Sequence, residues 1–213
     1  MEFEEFKHQI VKIKKMKLPG ESAQFKMAPK ERINELKKIA DVKKSAKKAG
    51  VLALFYPSVS KQTMFALILR KTYKGVHSAQ IGFPGGKFEA MDSSLRVTAL
   101  RETEEEIGVN QNKVIVLKKL TEVYIPPSNF FVQPFLGYTN KTPNFILQED
   151  EVEDLIEVPL KYFMNDSIKS FQNLSTSYAK NIEVPVFKLN NHRVWGATAM
   201  MLSEVREMLK QLL

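Results

Sequence analysis

FPGGKFEAMDSSLRVTALRETEEEIGV, residues Phe83 to Val109, decides how the rest of the chain is read. It opens on a turn, Pro84-Gly85-Gly86, whose two glycines permit backbone angles and close approaches denied to other residues. Asp92, Ser93 and Ser94 are N-cap candidates, and Gly108 stands where a helix commonly stops. The spacing therefore predicts a helix between them. At about 100° per residue, Glu102, Glu105 and Glu106 share one face of that helix. Val97, Leu100, Thr103 and Ile107 cluster opposite as its core side, and Glu104 is expected to face solvent.

Crowding three carboxylates on one face costs an isolated helix a few tenths of a kcal/mol per pair. A hard divalent cation reverses that sign, because carboxylate oxygens suit magnesium or manganese. A bare run of glutamates is ordinarily a solvated acidic surface. Here the run follows a double-glycine turn at a defined distance, and Arg101 sits immediately before it. That combination favours a metal site.

The stretch resembles the Nudix box, G-x5-E-x7-R-E-U-x-E-E-x-G-U with U a bulky apolar residue. Arg101-Glu102, Glu105-Glu106, Gly108 and Val109 match its second half position by position. Thr103 departs from the apolar position, and Asp92 lies one residue further from Arg101 than the box places its acid. The coenzyme A diphosphatase branch of the family resembles this longer spacing. It also carries a segment similar to His77-Ser78-Ala79-Gln80-Ile81-Gly82 ahead of the turn, although Gly75 and Ala79 stand where that pattern has an arginine and a glycine.

The resemblance implies an α/β/α sandwich with a mixed β-sheet and an N-terminal helical extension. Residues 1–48 are expected to form the extension and residues 49–213 the hydrolase domain. It implies Mg2+ or Mn2+ held by Glu102, Glu105 and Glu106, with a carbonyl of the Gly85-Gly86 turn as a further ligand. Arg101 would orient the glutamates, since a planar, permanently charged fork suits ion pairing. One of the glutamates, or Glu151 in a second acidic cluster, would accept a proton from water. His77, Gln80, Gly85 and Gly86 are the expected substrate contacts. The implied reaction splits the diphosphate of coenzyme A or a derivative into 3',5'-ADP and 4'-phosphopantetheine. Other nucleoside diphosphate derivatives and oxidised nucleotides are the alternatives within the same enzyme class. A non-catalytic RNA-binding module is the alternative from another class.

The whole chain bounds these readings. Its 213 residues, 44% hydrophobic and 26% charged, suit a globular protein with a substantial core. The absence of cysteine excludes disulfides, zinc–thiolate sites and cysteine nucleophiles. No apolar run reaches membrane-span length and the N-terminus does not resemble a secretory signal, so a cytoplasmic enzyme without membrane contact is expected. Residues 1–50 hold 14 Lys or Arg against 7 Asp or Glu, which places +7 of the +8 net charge there. That segment lacks interleaved aromatics. A solubilising surface or attraction of a polyanionic small substrate fits it better than nucleic acid, and the N-terminal hairpin is left open as a cap on the pocket or a homodimer contact.

Phe3, Phe6, Ile10 and Ile13 predict an amphipathic helix, broken at Leu18-Pro19-Gly20. A second helix is expected after Pro29, carrying Ile33, Leu36 and Ile39, with Arg32 at its surface. Val51–Tyr56 and Met64–Arg70 predict strands, and Thr72–Ser78 a polar loop. Lys113–Leu117, Thr121–Tyr124 and Phe130–Tyr138 predict further strands, the last with Pro134 at an edge or bulge. Strand-like residues recur over Thr176–Val186. Trp195-Gly196-Ala197-Thr198 leads into a final helix to Leu212, and Trp195 is read as a packing residue.

Overall fold

The computed structural model describes residues 1–30, 32–33, 45–72, 80–174 and 181–213. Its centre is strand β1, Lys47–Pro57, an almost uninterrupted apolar run of the kind that sits buried on both faces of a sheet. Strand β2, Thr63–Arg70, returns antiparallel, but its pairing with β1 covers only Phe55↔Phe65 to Pro57↔Thr63. Beyond that point the two strands diverge. The segment that follows fills the fork: β3, Ile81–Gly82, pairs with β2, and β4, Gly85–Lys87, pairs with β1. The glycine turn is thereby wedged into the sheet.

Helix α1, Phe3–Ile10, and the short α2, Glu21–Gln24, precede the sheet. Helix α3, Leu95–Ile107, follows β4. Strands β5, Val114–Lys119, and β6, Val123–Ile125, lead to β7, Phe130–Thr139, and β8, Val152–Pro159. The one-turn α4, Leu160–Phe163, is followed by β9, Lys169–Leu174, β10, Ile182–Leu189, β11, His192–Val194, and α5, Gly196–Leu212. Among the described residues the main sheet runs β3-β2-β1-β7-β5, with β4 on β1, β6 on β7 and β8 on β2. β1 and β7 are parallel and the other pairings antiparallel, so the sheet is mixed. β11-β10-β9 form a second, smaller sheet.

Alternation along β1 divides the core. Leu52, Leu54 and Tyr56 face α3, together with Ala66, Ile68, Ala99 and Ile107. Val51, Ala53 and Phe55 face the other side, where Phe3, Phe6 and Ile10 of α1 pack with Met201, Leu202, Val205 and Met208 of α5. Helices thus cover both faces, the α/β/α arrangement expected. The N-terminal helix shares this core rather than standing apart from it. Past Pro29, residues 30, 32 and 33 are helical, while Leu36 and Ile39 lie outside the described residues.

Three expectations about the scaffold are corrected. Arg32, expected at the surface, is buried, 8% exposed. Pro134 is not on an edge strand: β7 is flanked by β1 on one side and by β5 and β6 on the other. It is tolerated because it falls at the changeover between β5 and β6, where its carbonyl accepts from the Leu120 amide at 2.9 Å and no ladder N–H is required. The buried face of α3 is also turned from the expected one. Thr98, Ala99, Thr103, Glu106 and Ile107 are buried, whereas Val97 and Leu100 are only partly so. Thr103 takes the position of a bulky apolar residue at little cost, because its hydroxyl donates to the Ala99 carbonyl at 2.6 Å. Among the described residues no helix is long and apolar enough to cross a membrane.

Candidate active site

Ser94 begins α3 as its N-cap, accepting from the Val97 amide at 3.4 Å, and Gly108 ends it in the left-handed conformation at φ 72°. The helix lies directly on the fork in the sheet. A Cβ on Gly50 of β1 would come within 2.2 Å of the Leu95 carbonyl oxygen, so only glycine admits the helix N-terminus at that distance. Gly85 has φ 140° and its backbone lies against Gly50 and Val51, a conformation and an approach closed to other residues. These contacts set α3 and the turn against each other, and the glutamates meet the glycines.

Glu106 points inward and is 1% exposed. It accepts from the Gly85 amide at 2.7 Å and from Arg70 Nη1 at 3.2 Å. Burial pushes its carboxyl up to about 8, against the opposing pull of Arg70 and the Gly85 N–H and with the charges of Glu102 and Glu151 adding to the rise. One turn earlier, Glu102 lies over the next glycine: a Cβ on Gly86 would be 2.2 Å from Glu102 Oε2. Burial raises the Glu102 carboxyl too, Arg101 opposes the rise, and Glu105 and Glu151 reinforce it. Glu105 is different. Its side chain is 55% exposed and binds Arg101 Nη1 at 2.7 Å. The expected trio is therefore a pair, Glu102 and Glu106, turned towards the glycines, with Glu105 on the outer rim.

Arg101 is fixed by a two-pronged bond to Asp92, Nε to Oδ1 and Nη2 to Oδ2, each at 3.0 Å. Asp92 is buried and also accepts from Thr98 Oγ1 at 2.9 Å and the Glu89 amide at 3.0 Å. The Arg101 guanidinium holds its carboxyl well below the usual range. From that anchor Arg101 reaches Glu102 Oε1 at 3.0 Å as well as Glu105. Sequence reasoning took Asp92 as a capping candidate and as the displaced acid of the box; what it missed is that this acid is the anchor of Arg101, nine residues on.

Glu151 sits on the loop between β7 and β8. That loop is stapled by Gln148 N–H to the Glu106 carbonyl at 3.0 Å and by Lys71 N–H to the Glu151 carbonyl at 2.9 Å. The staples bring the Glu151 charge within electrostatic reach of Glu102 and Glu106. Gln80 accepts from the Arg70 amide through its carbonyl at 3.0 Å, beside the fork. His77 lies outside the described residues. Glu104, expected in solvent, binds the Gln111 amide and its Nε2 at 3.3 and 2.9 Å. Trp195 precedes α5 as its N-cap.

The donor set fits a hard divalent cation in kind: carboxylate oxygens over a turn that glycine keeps open. Among the described residues no three acids converge closely enough to enclose an ion. Two carboxylates suffice in kind where waters and substrate phosphates complete the coordination of a hard cation.

The NUDIX domain family matches residues 46–173. The chain is 31% identical over 156 residues to the Nudix hydrolase NudL of Yersinia enterocolitica, covering 73% of this chain and 79% of that protein. It is 28% identical over 178 residues to the peroxisomal coenzyme A diphosphatase ndx-8 of Caenorhabditis elegans, covering 80% of this chain and 74% of that one. Among solved structures, a Nudix hydrolase from M. smegmatis, RenU, superposes with a TM-score of 0.54 at 13% identity, covering 79% of this chain and 88% of that one. A MutT/nudix family protein from Enterococcus faecalis superposes with a TM-score of 0.53 at 16% identity, covering 78% and 63%. Helix α3 on its double-glycine turn, Arg101 among its glutamates and the match to the family across the main sheet agree: this chain belongs to the Nudix hydrolases.

Proposed function

We propose that this chain hydrolyses the diphosphate linkage of coenzyme A or its derivatives, releasing 3',5'-ADP and 4'-phosphopantetheine, with Mg2+ or Mn2+ as cofactor. The observation that carries the chemistry is the pairing of Glu102 with Gly86 and of Glu106 with Gly85, two carboxylates held one helical turn apart over an open turn. The substrate rests on the relative named as a coenzyme A diphosphatase, which covers more of this chain than the family domain alone. In this reading residues 49–213 form the catalytic domain and residues 1–48 an extension that lends its first helix to the core.

Nudix hydrolases generally use divalent metal ions. Here Glu102 and Glu106 would hold the cation, with Glu105 joining from the rim. When bound, the ion offsets the diphosphate charge and lowers the pKa of the attacking water. Arg101, itself fixed by Asp92, keeps Glu102 and Glu105 from turning away. Glu151 is the candidate proton acceptor: its side chain is exposed and its loop is stapled beside the two buried glutamates. Attack at phosphorus breaks one P–O bond of the anhydride, and the leaving phosphate departs already charged, so no strong acid is required. Gln80 and His77 are the proposed diphosphate contacts. The C. elegans relative is called peroxisomal, so a cytoplasmic site of action for this chain is a proposal to be read from its localisation in cells.

The test is to incubate the protein with Mg2+ or Mn2+ and a panel of coenzyme A, ADP-ribose, NADH and dinucleoside polyphosphates. Turnover of coenzyme A to the two named products, exceeding the others in kcat/KM, is the expected result. Preference for another panel member moves the substrate while retaining the enzyme class.

A further inference from the structure

Arg70 has no place in the box and stands at the end of an apolar strand, yet it is the cation against the most deeply buried of the candidate metal ligands. Its Nη1 lies 3.2 Å from Glu106 Oε1 and 3.5 Å from the Gly85 carbonyl oxygen. Both are hard oxygen atoms of the kind a divalent ion seeks. The attachment differs from that of Arg101. Arg101 is anchored by two parallel bonds to a buried aspartate, and its side chain is 12% exposed. Arg70 reaches Glu106 and Gly85 through a single nitrogen, and its side chain is 29% exposed, so it can leave towards solvent without unpacking the core. Its strand is locally irregular as well, because the register of β2 against β8 shifts between Leu69 and Arg70.

We propose that Arg70 is a displaceable counter-ion of Glu106, whose guanidinium and an incoming divalent cation compete for the same carboxylate. The inference rests on the metal-dependent reading above. A buried carboxylate needs a partner, and a removed partner leaves an uncompensated charge. Arg70 supplies that partner, and a doubly charged ion does the same at shorter range. The two cannot bind the same oxygen lone pairs together. Arg70 is a positioning residue in this role: it sets how tightly the site takes its metal. Once displaced it lies beside the Gly85 turn as a free cation for a polyanionic substrate.

The experiment is calorimetric titration of Mg2+ into chelator-treated, dialysed protein at pH 9, where protons compete least for Glu106. Wild type, Arg70→Met, Arg70→Gln, Arg70→Lys and the neighbouring control Lys71→Met are compared. Lys71 makes the same change of charge when replaced but pairs with Glu153. Arg70→Met is expected to bind Mg2+ about tenfold tighter than wild type, within the usual range of coupling between sites. Arg70→Gln carries the same expectation should the methionine variant fail to fold. Arg70→Lys should stay near wild type, and Lys71→Met should shift by less than about twofold for an exposed charge. In thermal melts the Arg70→Met protein should be less stable in chelator yet gain more on adding Mg2+ than wild type does. A purely structural arginine would instead lower both melting temperatures equally. Unchanged or weaker Mg2+ binding in Arg70→Met and Arg70→Gln, or tightening no greater than in Lys71→Met, overturns this inference alone. A wild-type chain that takes up no Mg2+ overturns the metal-dependent reading and this inference with it.

Discussion

Among the described residues two glutamates are almost wholly buried, and they are treated in opposite ways. Glu204, on α5, is 0% exposed and is wrapped by donors from two other segments. Gly20 N–H at 3.2 Å, Gln24 Nε2 at 3.2 Å, Thr121 N–H at 3.1 Å and Thr121 Oγ1 at 2.5 Å all point at it. Glu106, on α3, is 1% exposed and has the Gly85 N–H and one nitrogen of Arg70. Neutral donors spread over both oxygens make Glu204 a knot between the N-terminal segment, the β5–β6 turn and the last helix. Glu106 keeps acceptor capacity in reserve, at the cost of a carboxyl displaced to about 8. A carboxylate that builds the fold is saturated; Glu106 is not, as its proposed part in the chemistry requires.

Removing each glutamate separates the two roles. Glu106→Gln should cut kcat by about a thousandfold, the scale of lost electrostatic catalysis, with the melting temperature unchanged or raised. Glu204→Ala should leave kcat of the folded fraction within a few-fold. It removes the acceptor of four hydrogen bonds, so it should cost about 3 kcal/mol or more in urea unfolding. Equal loss of activity and stability in both variants would break the comparison.

Next in size is the anchor. Asp92→Asn keeps the shape but weakens the two-pronged hold on Arg101, so kcat should fall by about ten- to a hundredfold, as for other residues that orient ligands. A smaller effect separates the glycines. An alanine at Gly86 meets only the far end of the Glu102 side chain, whereas one at Gly85 meets the backbone of Gly50 and Val51. Gly86→Ala should lower kcat about tenfold with the fold intact. Gly85→Ala should lower stability first, visible in the denaturation midpoint.

The smallest expected effect is in pH. The Glu106 carboxyl is raised from 4.5 to about 8 on folding, so between these values the folded chain holds a proton that the unfolded chain has lost. Its contribution is then fully present below pH 4.5 and lost as pH rises through about 8. In chelator the stability of wild type should fall over that window, by a few kcal/mol at most, since a tenfold change in proton affinity is worth about 1.4 kcal/mol. Glu106→Gln should flatten the slope.

Much of the site was legible in one dimension because a helix is a local object. Ser94, Gly108 and the 3.6-residue repeat place α3 without reference to any other part of the chain, and Arg101-Glu102 with Glu105-Glu106 carry their signal by spacing alone. The strands β1 and β2 were legible as apolar runs, β2 as far as Arg70, but the polar start of β1 was not. Lys47 and Lys48 join β1 because β7 pairs with them and the Lys48 carbonyl accepts from Phe88 N–H just past β4. The helix rotation was misjudged for a related reason. Val97 and Leu100 are more apolar than Thr98 and Thr103, yet the turn beneath the helix decides which side faces inward.

The chain by itself determined the family, the helix with its caps, and the acidic chemistry on it, because these follow from neighbours within a few turns of backbone. Only the tertiary structure decided which glutamates do what. Glu102, Glu105 and Glu106 are chemically identical in the sequence; the fork between β1 and β2, filled by Gly85 and Gly86, buries one, half-buries another and leaves the third in water. It also decided the partners, setting Asp92 against Arg101 and Arg70 against Glu106. Burial and long-range pairing depend on what the rest of the chain brings to a point in space, and no local pattern of residues encodes that.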